Sequence, residues 1–85
     1  MAEVVVPSVL AAQAEGRSRF AVTAETVGNA LRGLPFADLL FDPRGELRPY
    51  LMVYVDGEDV RERGGLDCPL AGIGEVRIVG MISGG

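Results

Sequence analysis

Two stretches near the start of the chain have the composition and spacing of β-strands. Residues Glu3 to Leu10 are rich in β-branched and apolar side chains, with Pro7 interrupting the run. This predicts a strand that carries its proline at an edge or a bulge. Residues Arg17 to Thr23 alternate between apolar and polar positions, as a half-buried strand does. Gly16 opens a turn between the two stretches, so together they predict an N-terminal hairpin.

The next stretch changes to the period of a helix. Apolar side chains at i, i+3, i+4 and i+7 form one stripe: Val27, Ala30, Leu31 and Leu34. The hydroxyl of Thr23 or Thr26 can cap the start. Gly33, which tolerates a left-handed conformation, and Pro35 predict the end. A further short turn is expected from Phe36 to Phe41, before a polar loop from Asp42 to Pro49.

The second half of the chain predicts two more main strands. Residues Leu51 to Val55 form the strongest strand pattern, and Asp56-Gly57 behind it is a hairpin-turn signal. Residues Val60 to Gly74 contain four glycines and a proline, which predicts a loop with short extended pieces. Glu75 to Ile82 is expected to be the final strand.

The order of these elements predicts an α+β fold. A chain of 85 residues is a single domain, too short for crossover helices on both faces of a sheet. We therefore expect a mixed sheet with one main helix packed across one face, with the first and last strands side by side. Residues 1–82 form this domain in the prediction, and residues 83–85 form a flexible C-terminal tail.

Composition excludes several classes of chemistry. The chain has no His, and its eight basic residues are all Arg. The absence of His excludes Ser-His-Asp and Cys-His nucleophile systems and His-ligated metals. The absence of Lys excludes Schiff-base chemistry and phosphate-binding loops of the Gly-Lys-Ser/Thr kind. The net charge of −4 is the wrong sign for a nucleic-acid binder. No apolar run reaches a membrane span and the N-terminus makes a poor signal peptide, so we expect a cytoplasmic protein with no resident metal or cofactor.

The residues with the clearest chemical meaning are the last two, Gly84 and Gly85. They follow an apolar strand within three residues, through Ser83. Residues without side chains suit a carboxylate that must pass through a narrow entrance into another protein's active site. Glycine also leaves the terminal carbonyl open to a nucleophile. The alternative interpretation, without a chemical role, is a frayed chain end made of small residues.

The chain resembles the ubiquitin-like β-grasp sulfur carriers over nearly its full length. The resemblance rests on the element order, the Thr26-Val27-Gly28 helix start, the strand-turn LMVYVDGEDV and the end EVRIVGMISGG. The family includes the thiamine sulfur carrier, the small subunit of molybdopterin synthase and the carrier of thiocarboxylate-dependent cysteine biosynthesis. The resemblance is greatest to the cysteine-biosynthesis carrier, in the stretches VPSVL, Asp42-Pro43 and VYVDGEDVRERGGL. Ile82-Ser83 departs from the Ala or Val that often precedes Gly-Gly.

This resemblance implies a mechanism and a set of partners. An adenylating enzyme of the E1 type would use Mg-ATP to convert the Gly85 carboxylate into an acyl-adenylate, and a sulfur donor would displace AMP to leave a thiocarboxylate. Ser83, Gly84 and Gly85 would enter the partner, and the chain would be a protein co-substrate rather than an enzyme. A sulfur-accepting biosynthetic enzyme and a metallopeptidase that releases the product complete the implied partners. We expect a monomer when it is alone, and neither nucleic acid nor membrane as a partner.

Three alternatives remain open at the level of the sequence. The chain could be the small subunit of molybdopterin synthase, a ubiquitin-like modifier joined to target lysines, or a plain interaction module. The sulfur acceptor could belong to cysteine biosynthesis, to a cofactor precursor or to a sulfur-containing natural product.

Outside the tail, one surface is a candidate docking site. If Leu51, Val53 and Val55 face the helix, then Met52 and Tyr54 face outward beside Val79 of the last strand, and we add Met81 to this surface. Met and Tyr are enriched at protein interfaces.

Two other features receive structural interpretations. Cys68 has no His to activate it, so a packing thiol is expected. Gly64-Gly65 lacks the pattern of a phosphate loop and is expected to form a turn. The acidic residues between Asp56 and Asp67 are interspersed with Arg and match no calcium loop, which favours a solvated face.

Overall fold

The computed structural model describes residues 2–80, and these form one sheet with its helices on one side. The five strands are β1 (Ala2–Val5), β2 (Arg19–Val22), β3 (Leu51–Val55), β4 (Glu58–Asp59) and β5 (Glu75–Gly80). Their order across the sheet is β2-β1-β5-β3-β4. β1 and β5 pair in parallel at the centre, and every other pairing is antiparallel. The predicted adjacency of the first and last strands is confirmed.

Three short α-helices accompany the sheet. They are α1 (Ser8–Ala11), α2 (Val27–Arg32) and α3 (Ala37–Leu40). α2 begins as predicted, because the backbone N–H of Asn29 donates to Oγ1 of Thr26 at 3.1 Å. All four residues of the predicted helical stripe are buried. Together with the core-facing strand residues they form one continuous apolar core.

The predicted first strand is too long. Pairing ends at Val5, and the chain then turns into α1. Pro7 has no N–H to give to a neighbouring strand, and its carbonyl instead accepts from the N–H groups of Leu10 and Ala11 at 3.0 and 2.9 Å. A helical turn at this point buries Leu10 and Ala11 on the same side. The hairpin of β1 and β2 is present nevertheless, joined by α1 and a 3₁₀ turn (Ala12–Ala14).

Two other local predictions need correction. Gly33 ends α2 with φ −84°, which any residue can adopt, rather than in the left-handed region. The loop after β4 consists mainly of 3₁₀ turns, Val60–Arg63 and Gly65–Asp67, and its extended part is the single bridge of Pro69 with Thr26. Gly64 and Gly65 join the two turns with φ of +95° and +78°, so the predicted turn is confirmed there.

Candidate functional site

The two faces of the sheet have different compositions, and β3 shows the difference most clearly. Leu51, Val53 and Val55 are buried against the helices, whereas Met52 and Tyr54 are half-buried on the opposite face. We call this second surface the outer face. The alternation predicted for β3 is therefore confirmed.

The predicted docking residues that lie within residues 2–80 come together on the outer face. Met52 of β3 is the register partner of Val79 of β5. The hydroxyl of Tyr54 lies 4.0 Å from Sδ of Met52. Val79 is 36% exposed, one of four large apolar side chains in the described part of the chain that reach this level. These three side chains, which we call the apolar trio, form a patch at the end of the sheet where β5 reaches Gly80.

The tail residues that carry the predicted chemistry lie outside the described residues. They are Met81, Ser83, Gly84 and Gly85. The described part of β5 ends at Gly80, which pairs with Leu51, and the predicted continuation of this strand to Ile82 lies outside the described residues. We call Gly80 the root of the tail. The root of the tail is thus adjacent to Val79 of the apolar trio.

Charged side chains border the trio on the outer face, and the sequence did not reveal their pairing. Glu3 of β1 and Glu75 of β5 stand opposite each other in the register. Each glutamate forms an ion pair with an arginine. Nη1 of Arg19 lies 2.7 Å from Oε1 of Glu3, and Nε of Arg77 lies 3.1 Å from Oε2 of Glu75. Because these pairs are exposed, they contribute little stability. They do give the outer face a charged half and an apolar half, which can orient a partner.

Cys68 is a packing residue, as the sequence indicated. It is 3% exposed, and Sγ lies 3.5 Å from the carbonyl oxygen of Pro69. Its own carbonyl accepts from the N–H of Val27 at 2.9 Å, which fixes the start of α2. A thiol that is buried and has no base beside it is inert.

The acidic stretch after β3 also has structural roles. Asp56 has φ +49° in the β3–β4 turn, and Oδ1 accepts from the N–H groups of Gly74 and Glu75 at 3.2 and 3.0 Å. Hydrogen bonds from the Arg61 side chain and its backbone N–H lower the pKa of Asp59 below its ordinary value. Residues 2–80 contain no group of His, Cys, Asp and Glu side chains that could hold a metal ion. None of the helices in that range is long and apolar enough to cross a bilayer.

Sequence reasoning missed a second apolar area, next to the root of the tail on the core side of the sheet. Val9, Leu39 and Tyr50 are exposed there by 54%, 37% and 45%. Val9 lies in α1, which the sequence analysis assigned to a strand. The missed signal was Pro7-Ser8, since a proline before a short helical turn is a usual N-terminal arrangement.

Comparison with known proteins matches this geometry to one group. No protein-family model matches the chain. The sulfur carrier protein CysO of Mycobacterium tuberculosis, and that of Mycobacterium bovis, are each 29% identical to it over 87 aligned positions, covering 94% of both chains.

The solved structures agree with the sequence comparison. The crystal structure of Mycobacterium tuberculosis CysO superimposes with a TM-score of 0.82 at 26% identity, covering 96% of this chain and 100% of that one. SAMP1 from Haloferax volcanii gives a TM-score of 0.72 at 30% identity, with 98% and 97% covered. A chain of the Amycolatopsis orientalis BexX/CysO complex has the same fold, with a TM-score of 0.82 at 24% identity and 100% of both chains covered. The sheet order, the helix across one face and these likenesses over the whole length lead to one conclusion: the chain has the ubiquitin-like β-grasp fold and is homologous to the CysO sulfur carrier proteins.

Proposed function

We propose that this protein carries sulfur as a thiocarboxylate on Gly85. The observation that carries the proposal is the likeness to the sulfur carrier protein CysO over 94% of the chain, in a sequence whose residues 84 and 85 are both glycine. A carboxylate is a poor electrophile until one of its oxygens becomes part of a good leaving group. An activating enzyme that uses Mg-ATP would supply that leaving group as AMP.

The proposed reaction has two steps. In the first, a carboxylate oxygen of Gly85 attacks the α-phosphorus of ATP and pyrophosphate leaves, which gives an acyl-adenylate. In the second, the sulfur of a hydrosulfide or an equivalent donor attacks the Gly85 carbonyl, the bond to AMP breaks, and the sulfur loses its proton. The product is an anionic thiocarboxylate whose sulfur is a soft nucleophile.

In this proposal the chain is a co-substrate and its partners supply the catalytic groups. A sequence without His or Lys lacks two of the side chains that are most used for acid–base and nucleophilic catalysis. Its own contribution is to present Gly85 to the partner, five positions after Gly80, the last described residue of β5. Ser83 and the two glycines have little or no side chain, so they suit a narrow entrance into the activating enzyme.

The outer face is the docking surface in this proposal. The apolar trio, Met52, Tyr54 and Val79, lies beside Gly80, and we assign Met81 to the docking surface as well. An enzyme that grips the trio would therefore hold the tail close to its active site. A chain of the Amycolatopsis orientalis BexX/CysO complex shares this fold, and the existence of that complex supports a protein partner for such a carrier.

We assign the sulfur acceptor to cysteine biosynthesis, with a sulfur-containing metabolite as the alternative. The likeness to CysO and the stretches VPSVL and VYVDGEDVRERGGL support this choice. A metallopeptidase would then release the product from the carrier. Since activation consumes ATP, we place the reaction in the cytoplasm.

A pair of variants separates docking from chemistry. Tyr54→Ala removes a large side chain from the docking surface and leaves the tail intact. Interface aromatics often contribute about 2 kcal/mol, so affinity for the activating enzyme should fall at least about tenfold. Adding one Ala after Gly85 should leave binding largely unchanged, but it moves the carboxylate by more than ~1 Å, which is enough to cost about a hundredfold in rate.

Calorimetry measures the binding of both variants, and pyrophosphate release measures their adenylation. Tyr50→Ala is the matched control, because Tyr50 is an exposed tyrosine that lies off the outer face. It should bind like the unaltered chain. Adenylation of the extended tail at the normal rate, without prior trimming, would show that Gly85 is not the reacting residue.

A further inference from the structure

A cleft with a volume of about 550 Å³ opens on the helical side of the domain. It lies between the end of α2, the start of α3 and the loop that follows α3. The charged and aromatic residues that line it are Arg32, Asp38, Phe41, Asp42 and Arg48. We call this feature the arginine cleft, because its two arginines are its cationic groups.

Both arginines of the cleft are held by contacts other than ion pairs. Cζ of Arg32 lies 4.9 Å from the centroid of the Phe41 ring, and Nη1 lies 2.9 Å from the position that a Cβ on Gly28 would occupy. Nη2 of Arg48 donates to the carbonyl oxygen of Asp38 at 3.2 Å. Among residues 2–80, neither guanidinium forms an ion pair with a carboxylate. Their positions are therefore fixed while their charges remain available to a ligand.

The two aspartates of the cleft do not neutralise these arginines. Oδ1 of Asp42 accepts from the backbone N–H groups of Arg44 and Glu46 at 2.9 and 3.0 Å, and Oδ2 lies 3.6 Å from Nη2 of Arg44. The carboxylate of Asp42 is thus already occupied by its own loop. Asp38 is exposed, and water weakens the repulsion that its carboxylate exerts on an anion. The free hydrogen-bonding capacity of the cleft belongs mainly to the two guanidinium groups.

We propose that the arginine cleft binds a phosphate group, free in solution or carried by a small molecule. A guanidinium offers a planar fork of donors that matches the oxygens of a carboxylate or a phosphate. One arginine can engage both oxygens of a carboxylate, whereas a phosphate has a further terminal oxygen for a second arginine. Two such arginines on one cleft therefore favour phosphate. The proposal goes beyond sulfur transfer, since it involves neither the tail nor the outer face.

Titration of the full chain with inorganic phosphate tests this inference. The backbone amide signals around the cleft and the Nε–H signals of Arg32 and Arg48 are followed by NMR, with the ionic strength held low and constant. These signals should move to a plateau, and those of Val79 and Arg77 on the outer face should stay in place. Methyl phosphate is the second probe, and its affinity relative to inorganic phosphate shows whether the group is bound as an ester or as the free anion.

Substitutions that remove one charge supply the matched comparison. Arg32→Gln and Arg48→Gln should each weaken phosphate binding at least about tenfold, because each removes a charge-assisted hydrogen bond. Arg17→Gln is the control. Arg17 also lies over a ring, 4.6 Å from the centroid of Phe20, and forms no ion pair within residues 2–80, but it lines a different cavity. This variant should keep nearly the full affinity, although its net charge changes by the same amount.

Asp38→Asn tests the sign of the electrostatics. It removes a negative charge from the edge of the cleft, so phosphate should bind more tightly than to the parent. The amide spectrum of each variant shows that it is folded, and affinities are compared only between folded proteins.

Three results would overturn the inference. Shifts that grow without reaching a plateau would indicate general screening rather than a site. An equal loss of affinity in Arg17→Gln and Arg48→Gln would show that net charge alone is responsible. Acetate that binds as tightly as phosphate would make the cleft a carboxylate site. None of these results bears on whether Gly85 accepts sulfur, because neither ATP nor an activating enzyme is present in the measurement.

Discussion

Replacement of Cys68 separates the stability of the fold from the chemistry of the carrier. The thiol is 3% exposed and contacts the carbonyl of Pro69 at 3.5 Å, at the point where the loop supports the start of α2. Cys68→Ala deletes one sulfur atom from a closed site, which should cost about 1–2 kcal/mol, less than the loss of a leucine side chain. Cys68→Ser keeps the shape but buries a hydroxyl. Its Oγ can donate to the Pro69 carbonyl, so a similar cost of about 1–2 kcal/mol is expected.

The stability change is measurable by thermal or urea unfolding. In a domain of this size each kcal/mol lowers Tm by about 4–8 °C, so both variants remain folded at room temperature if the parent is ordinarily stable. Sulfur uptake at Gly85 should proceed at nearly the normal rate in both, because the buried thiol cannot reach the tail's chemistry. Loss of sulfur transfer in a folded Cys68→Ser protein would refute this reasoning and make the thiol a participant.

Two further substitutions test the local structure. Thr26→Ala removes the hydroxyl that accepts from the N–H of Asn29 and should lower the free energy of unfolding, measured by urea titration, by about 1 kcal/mol. Thr26→Ser should recover most of this loss. Equal stability of the two variants would contradict the role of the Thr26 hydroxyl as the helix cap. Asp42 accepts from the N–H groups of Glu46 and Arg44, and the bond from Glu46 contributes most to lowering its pKa. Because this pKa is lowered, the ionised Asp42 carboxylate stabilises the folded state at neutral pH, and this stabilisation disappears as the pH falls through the folded-state pKa. The free energy of unfolding of Asp42→Asn should therefore fall less than that of the parent between pH 6 and about pH 3. An identical pH dependence in both proteins would argue against this role.

Much of the fold follows from local patterns that agree with the tertiary structure. The stripe from Val27 to Leu34, the alternation of β3 and the Asp56-Gly57 turn each specify an element without reference to the rest of the chain. The outward position of Met52 and Tyr54 followed from the same alternation, because the outward residues of a strand can be identified once its buried face is known.

The errors arose where the tertiary structure decides between local choices. The stretch after Val5 includes the β-branched Val6 and Val9, but strand pairing ends at Val5, and a helical turn buries Leu10 and Ala11 instead. The loop after β4 has glycines that permit many conformations, and its packing against α2 selects 3₁₀ turns. Leu66 illustrates this, because its Cβ and carbonyl oxygen lie 3.1 Å from the position that a Cβ on Gly28 would occupy.

The same limit applies to the surface. The ion pair of Arg19 with Glu3 depends on the register of β1 with β2, and the position of Glu3 opposite Glu75 depends on the register of β1 with β5. The second apolar area, formed by Val9, Leu39 and Tyr50, depends on how α1 and α3 approach the sheet. Neither arrangement has a signature in the order of the residues alone.

The central claim is that Gly85 carries the transferred sulfur, and intact-mass spectrometry tests it most directly. The protein is incubated with an activating enzyme proven on another carrier, Mg-ATP and sulfide, and fragmentation then locates any change of mass. The account predicts a gain equal to the difference between sulfur and oxygen, confined to the fragment that ends in Gly85 and absent without ATP. An unchanged mass, or a gain located at Cys68 instead, would contradict it.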